Sequence, residues 1–464
     1  MPIKKTLLAL ALSAAVAPAF AQESLLDIYQ RAVQNDPAVR EAEATYLANA
    51  EAKAQARAAL LPGLNFGARV NNQFSDSVGG FDVGGGLSSG DDRNISDSDT
   101  DSWQITLRQT LFDWGNFAQL RQSEKVVARA ETTYEAAKQD LLMRVATRYF
   151  DVLGAEDNLA SAVAAREAIA RQLEQAQRRF EVGLIAITDV QQSQAGYDDA
   201  VATEIESQRQ LATAHEFLRE IIGEDVADIA SPSDNLPLVQ PQPANAEEWV
   251  QTALKQNLQL VTQRLGTEIA QDDIDIQRSN RLPTVTLSAG YNESTTDRAT
   301  TSIGAPSVRC PTGICTSNTT TRPDGRNWSV DVQFPIFTGG LNRSRVQQAV
   351  YQHRASTEAL ERVARQTERA ARDAFLSVVS GISQVTSRRQ AVESNRTALR
   401  ASEAGFEVGT QTTVDVLSFQ NQLRRAETAY SQSRYAYILN MLRLKQAAGT
   451  LSEADVREVD GWLQ

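Results

Sequence analysis

The sequence predicts a mainly α-helical chain with a transmembrane β part, assembled from two copies of one structural repeat. Three observations carry that reading. Long stretches rich in Ala, Gln, Arg, Glu and Ser keep their apolar residues at helical spacing. Four short stretches alternate apolar and polar residues instead. One phrase also occurs twice: Phe180-Glu181-Val182-Gly183, followed by Asp189-Val190, returns as Phe406-Glu407-Val408-Gly409, followed by Asp415-Val416, at an offset of 406 − 180 = 226.

The N-terminus reads as a secretory signal peptide over residues 1–21. Lys4-Lys5 precedes an apolar run from Leu7 to Val16, and Ala19-Phe20-Ala21 forms a small-x-small cleavage site. Its removal would take the formal charge from −12 to −14, which disfavours nucleic acid as a partner. No other stretch approaches the ~18 uninterrupted apolar residues of a spanning helix, so any membrane crossing must use strands.

The first repeat occupies residues 22–230. A helix over 24–60 ends at Leu61-Pro62-Gly63, and alternation follows over 64–74, with Leu64, Phe66, Ala68 and Val70 on one face. After a Gly/Asp/Ser-rich loop, alternation resumes over 102–111, where Trp103, Ile105 and Leu107 oppose Gln104, Thr106 and Arg108. A single helix is expected over 116–179, spanning ~95 Å at ~1.5 Å per residue, and a shorter one over 189–222. A Pro-rich link at 231–244, with Pro232, Pro237, Pro241 and Pro243, leads to the second repeat at 245–448. There a helix over 245–281, strands at 284–292 and 327–336, and helices over 342–405 and 415–448 repeat the order. Residues 449–464 form a C-terminal segment.

Strands of about ten residues suit an outer-membrane barrel, whose tilted strands need ~9–11 residues. A half-buried soluble sheet would alternate in the same way. Two features favour the membrane: Asn65, Arg69, Gln104, Arg108 and Asp331 give a polar face suited to a watery lumen, and the connecting loops are long and polar. Four strands cannot close a barrel, since the smallest bacterial examples have ~8. Two chains would supply eight strands and three would supply twelve, so oligomerisation follows while the number of copies stays open. Sparse large apolar residues on the helices suit a tube wall or a solvent bridge better than a broad core.

Cys310 and Cys315 close a short loop, which in an exported chain suggests a disulfide. No catalytic set is visible, and His215 and His353 lie alone in polar helical patterns, so neither an enzyme nor a metal centre is indicated and no cofactor is implied. At the repeated phrases, Gly183 and Gly409 break helices, and Asp189 and Asp415 fall at helix starts, where carboxylates satisfy free N–H groups. If several chains form one tube, Asp415 also repeats as a ring of negative charge that favours cations.

These tip phrases, together with Phe112-Asp113 and Ile336-Phe337-x-Gly339-Gly340 after the strands, resemble the TolC family of outer-membrane exit ducts over nearly the whole mature chain. The resemblance implies a TolC-like homotrimer with a twelve-stranded barrel in outer-membrane lipid and a helical tunnel across the periplasm. It also implies a periplasmic adaptor and an inner-membrane transporter of RND, ABC or MFS type, serving drug efflux or type I protein secretion, with no hydrolysis by the duct itself. Val182, Gly183, Leu184, Val408, Gly409 and Thr410 match the turns that meet the adaptor. Thr188, Asp189, Phe406, Gln411, Asp415 and Ser418 match the periplasmic gate. Phe406 stands where such gates have a tyrosine, Gln411 where they have an arginine, and Ser418 where they have a second aspartate. A Gln411–Asp189 link would lack charge assistance, which roughly halves such a bond. The expectation is a weak latch and three ring carboxylates rather than six. A passive general-diffusion porin is the alternative, but it leaves the long helices without purpose.

Overall fold

The computed structural model of the chain describes residues 23–79, 82–83, 87–88, 92–226, 229–233, 236–304, 306 and 311–463. The expected signal peptide over residues 1–21 therefore lies outside the described residues. The chain divides into two compact units. The first comprises the described residues of Met1–Leu47, with Arg129–Arg264 and Glu358–Gln464; the second comprises Ala48–Ala128 and Leu265–Thr357.

The helical repeat order emerges as α1 (Leu25–Asn35), α2 (Pro37–Ala58), α3 (Trp114–Glu181) and α4 (Ile187–Ile222), then α5 (Ala246–Gln256), α6 (Leu258–Ser279), α7 (Leu341–Glu407) and α8 (Thr413–Ala448). A final helix, α9 (Glu453–Asp460), occupies the C-terminal segment. The long helices α3 and α7 run unbroken for 68 and 67 residues.

The expected single helices over 24–60 and 245–281 are each broken in two. At Asp36 the chain turns extended (φ −64°, ψ 118°), because the residue before Pro37 is pushed out of the α region. The Asp36 carboxylate then accepts from the Ala38 N–H at 2.6 Å and from the Arg144 guanidinium at 2.6 Å. Asn257 makes the matching break without a proline. Its side-chain oxygen accepts from the Leu260 N–H at 3.1 Å, and its amide donates to the Ala447 carbonyl at 3.0 Å.

The first unit also holds a larger core than the sparse apolar pattern suggests. Leu25 and Ile28 of α1, Tyr149 and Leu153 of α3, Leu218 and Ile222 of α4, and Tyr437 and Ile438 of α8 are fully buried in one cluster. These residues gather at the ends of the short helices and midway along α3, so averaging over long helices hides them. Full burial of each such side chain contributes ~1.5–3 kcal/mol. The Pro-rich link is held against this core: the Tyr437 hydroxyl donates to the Val239 carbonyl and accepts from its N–H, both at 2.9 Å, and Arg434 donates to the Pro232 and Ser233 carbonyls.

In the second unit, β1 (Gly63–Gly79), β4 (Asp92–Phe112), β5 (Thr284–Ile303), β6 (Ile314–Thr321) and β7 (Asp324–Gln333) form one antiparallel sheet; a two-residue pair, β2 (Asp82–Val83) and β3 (Leu87–Ser88), lies apart. The sheet runs β1-β4-β5, and β6 and β7 both pair with β5. Those two share one strand position, interrupted at Arg322-Pro323, where the Pro323 carbonyl still accepts from the Ser294 N–H at 3.1 Å. Four strand positions result, as the alternation predicts.

The strands are longer than predicted: β1, β4 and β5 have 17, 21 and 20 residues. Their extensions are polar, so they read as loop in the sequence, but cross-strand partners hold them. Asn72 donates to Asp97 and Asp99, Arg93 pairs with Asp76, and Thr100 meets Thr296. At the other end β7 stops at Gln333 rather than 336, just before Phe334-Pro335.

Register keeps the two faces distinct. Phe66 pairs with Ile105, and Ile105 with Tyr291; Leu107 pairs with Ala289, and Ala289 with Trp328. Trp103 lies 6.4 Å from Phe66 and 5.2 Å from Tyr291 between ring centres. On the opposite face Gly67, Gln104, Asn292 and Gly325 share a rung.

Candidate functional site: the paired helix tips

Each long helix ends in the same turn. Gly183 (φ +73°) and Gly409 (φ +80°) take the left-handed conformation that L side chains resist. In the first tip the Gly183 N–H donates to the Phe180 carbonyl at 2.9 Å and the Leu184 N–H to the Arg179 carbonyl at 2.8 Å. In the second, Gly409 donates to Phe406 at 3.2 Å and Thr410 to Gly405 at 2.8 Å. This double closure satisfies carbonyls that a helix end leaves free. It also thrusts apolar side chains into solvent: Val182, Leu184 and Val408 are 70%, 73% and 76% exposed.

The following helix starts differ between the copies. Thr412 caps α8 and closes a reciprocal box: its hydroxyl accepts from the Asp415 N–H at 3.3 Å, while the Asp415 carboxylate accepts from the Thr412 N–H at 2.9 Å. The Thr412 hydroxyl and backbone N–H hold the Asp415 carboxyl below its usual range. At the matching position, 412 − 226 = 186, stands Ala186, which has no side-chain oxygen. Asp189 therefore sits in the first turn of α4 without a capping bond, and among the described residues its carboxylate has no hydrogen-bond or ion-pair partner. Capping is thus Asp415's role and not Asp189's. Thr188 lies exposed in that same first turn.

Gln411 folds back on its own turn. A Cβ built at Gly405 would meet the Gln411 Cγ at 2.6 Å, and the Gln411 N–H reaches the Gly405 carbonyl at 3.2 Å. Ser418 is exposed and accepts from Gln422 at 3.3 Å. Phe406 has a partner the sequence reading missed: the Arg179 guanidinium lies 4.8 Å from its ring centre, joining the two tips. The available signal was positional, since Arg179 falls 226 residues before Gly405 and so occupies the same place in its turn. Behind the tips Leu417 of α8 packs 3.3 Å from the Cβ position of Gly196 on α4, with Ile169 of α3 alongside.

Elsewhere, Cys315 lies on β6 in a disulfide, and Cys310 lies outside the described residues. Among the described residues no helix is long and apolar enough to cross a membrane, and no group of His, Cys, Asp and Glu is placed to hold a metal ion.

A family model for outer membrane efflux proteins matches residues 28–224 and 249–450. The chain is 35% identical over 465 residues to outer membrane protein TolC of Vibrio cholerae, covering 99% of each. It is 35% identical to outer membrane protein TolC of Escherichia coli, covering 94% of this chain and 84% of that one. The solved structure of the outer membrane protein VceC from Vibrio cholerae shares the fold at a TM-score of 0.69, with 18% identity and coverage of 92% and 96%. Matching folds, matched repeats and these identities place the chain in the outer membrane efflux protein family.

Proposed function

We propose that this chain is the exit duct of a tripartite efflux pump or type I secretion system, a gated channel and not an enzyme. Three copies close a twelve-stranded barrel in the outer membrane, and their helices extend it as a periplasmic tunnel. The carrying observation is the sheet: four strand positions whose outer edges are unpaired among the described residues, with one apolar face and one polar face. Such a sheet leaves edge N–H and C=O groups unpaired in lipid, and copies of itself relieve that cost. The family relationship supports the same reading.

The tips serve two roles in this proposal. Val182, Gly183, Leu184, Val408, Gly409 and Thr410 form the surface on which a periplasmic adaptor docks, because the exposed Val182, Leu184 and Val408 side chains gain from burial. Thr188, Asp189, Phe406, Gln411, Asp415 and Ser418 line the gate. Gln411 lacks the charge of a strong latch to Asp189, so the Arg179–Phe406 contact supplies part of the resting hold. Asp415 gives one carboxylate per chain to the pore ring, and Ser418 gives none.

Gene deletion separates the duct from a porin. A duct's loss raises drug sensitivity or blocks protein export, whereas a porin's loss reduces nutrient uptake and would overturn the proposal. In cells that express the Val408→Cys variant, that cysteine should crosslink to a periplasmic adaptor. Val408 is the better position because a side chain at Gly409 would be strained.

A further inference from the structure

The two faces of the sheet carry opposite charge. On the face of Trp103 and Tyr291, the polar extensions present Asp97, Asp99, Asp101, Glu293 and Asp297. The two arginines there are engaged: Arg93 pairs with Asp76, and Arg326 lies 6.0 Å from the Tyr291 ring centre. The opposite face carries Arg69, Arg108 and Arg298, all exposed, and none has an ion-pair partner among the described residues. By register, two acidic residues share that face among the described strand residues: Asp331, to which Ser329 donates at 2.9 Å, and Asp92, at the far end of β4 opposite Gly79.

The register spaces these arginines along the sheet. Arg108 pairs with Gly63 and Ser288, Arg69 with Ser102, and Arg298 with Ser98. Counted on β4, the tiers fall at positions 108, 102 and 98, or ~20 Å and ~13 Å apart at ~3.3 Å per residue. Both spacings exceed the Debye length of ~8 Å at physiological salt, so each tier acts on mobile ions largely by itself. Their neighbours are Ser, Thr, Gln, Asn and Gly, none of which competes with a guanidinium for an anion. Guanidinium groups stay charged at any working pH and grip phosphate or carboxylate with two parallel donors.

We propose that the polar face of the sheet is an anion path, in which Arg108, Arg69 and Arg298 form successive binding tiers for polyvalent anionic solutes. This rests on the duct reading, which makes that face the lumen. Multiplied over the copies of a closed barrel, each tier becomes an arginine ring of the kind that favours anions. Tip carboxylates bias conduction the other way, so the tiers are read by comparing variants with an identical tip.

Full-length protein reconstituted in planar bilayers tests this, with chloride-to-potassium permeability and block by sodium tripolyphosphate from the loop side as readouts. The triple variant R69Q/R108Q/R298Q should lower the permeability ratio about threefold and weaken block about tenfold, with single variants giving nearly additive steps. Triple Arg→Lys should keep the permeability ratio but lose part of the block, since lysine lacks the fork. Arg93→Gln and Arg326→Gln, on the other face, should change neither. A conducting triple variant indistinguishable from wild type sinks the anion path and leaves the duct standing. A wild-type protein that forms no channel sinks both.

Discussion

The Arg179 guanidinium lies 4.8 Å from the centre of the Phe406 ring, so the last turn of α3 touches the last turn of α7. A contact of this type at a partly exposed site contributes ~0.5–1 kcal/mol. Arg179→Gln should therefore raise the open probability of single channels by about two- to fivefold. Arg179→Lys should restore part of the closure. Unchanged gating in both variants would remove this contact from the resting hold.

Thr412→Ala recreates in the second tip the uncapped start of the first, where Ala186 stands. Loss of a capping hydroxyl costs about 1 kcal/mol, so hydrogen exchange over residues 413–418 should quicken about fivefold. Ala186→Thr should slow exchange at the start of α4, because Asp189 already occupies the third position of the helix.

The same box sets a pH dependence. Because the Thr412 hydroxyl and N–H depress the folded-state pKa of Asp415, its contribution to stability is present above the unfolded carboxyl pKa and fades as pH falls through the depressed one. Asp415 thus stays charged in mildly acidic solution, and any divalent-cation block that depends on it should persist there. Asp415→Ala should abolish that block in single-channel recordings at neutral pH. Block that survives the substitution would show that Asp415 does not line the pore.

Tyr437→Phe removes the hydroxyl that both donates to and accepts from the Val239 backbone. Leaving that N–H and C=O unpaired costs ~1–3 kcal/mol, and limited proteolysis should then cut between residues 236 and 244 many-fold faster. Cleavage at the wild-type rate would show that the link is held by its other contacts.

Much of this molecule was legible as pattern. The long helices, the four strand positions and the two tips follow from local rules: apolar spacing, alternation, and glycine where only a left-handed turn fits. Apolar spacing alone makes α3 and α7 run unbroken, and Gly183 and Gly409 end them one duplicated step apart. Tertiary structure decided what local rules cannot encode. Asp97 and Asp99 look like loop residues until Asn72 on the neighbouring strand donates to them and makes them ladder. Asn257 resembles any helical residue until the Ala447 carbonyl draws its amide across and breaks α5 from α6. Arg179 was an ordinary last-turn cation until Phe406, 227 residues away (406 − 179), offered its ring. In each case the deciding partner is distant in the chain, so its energy enters only when the fold brings the two together.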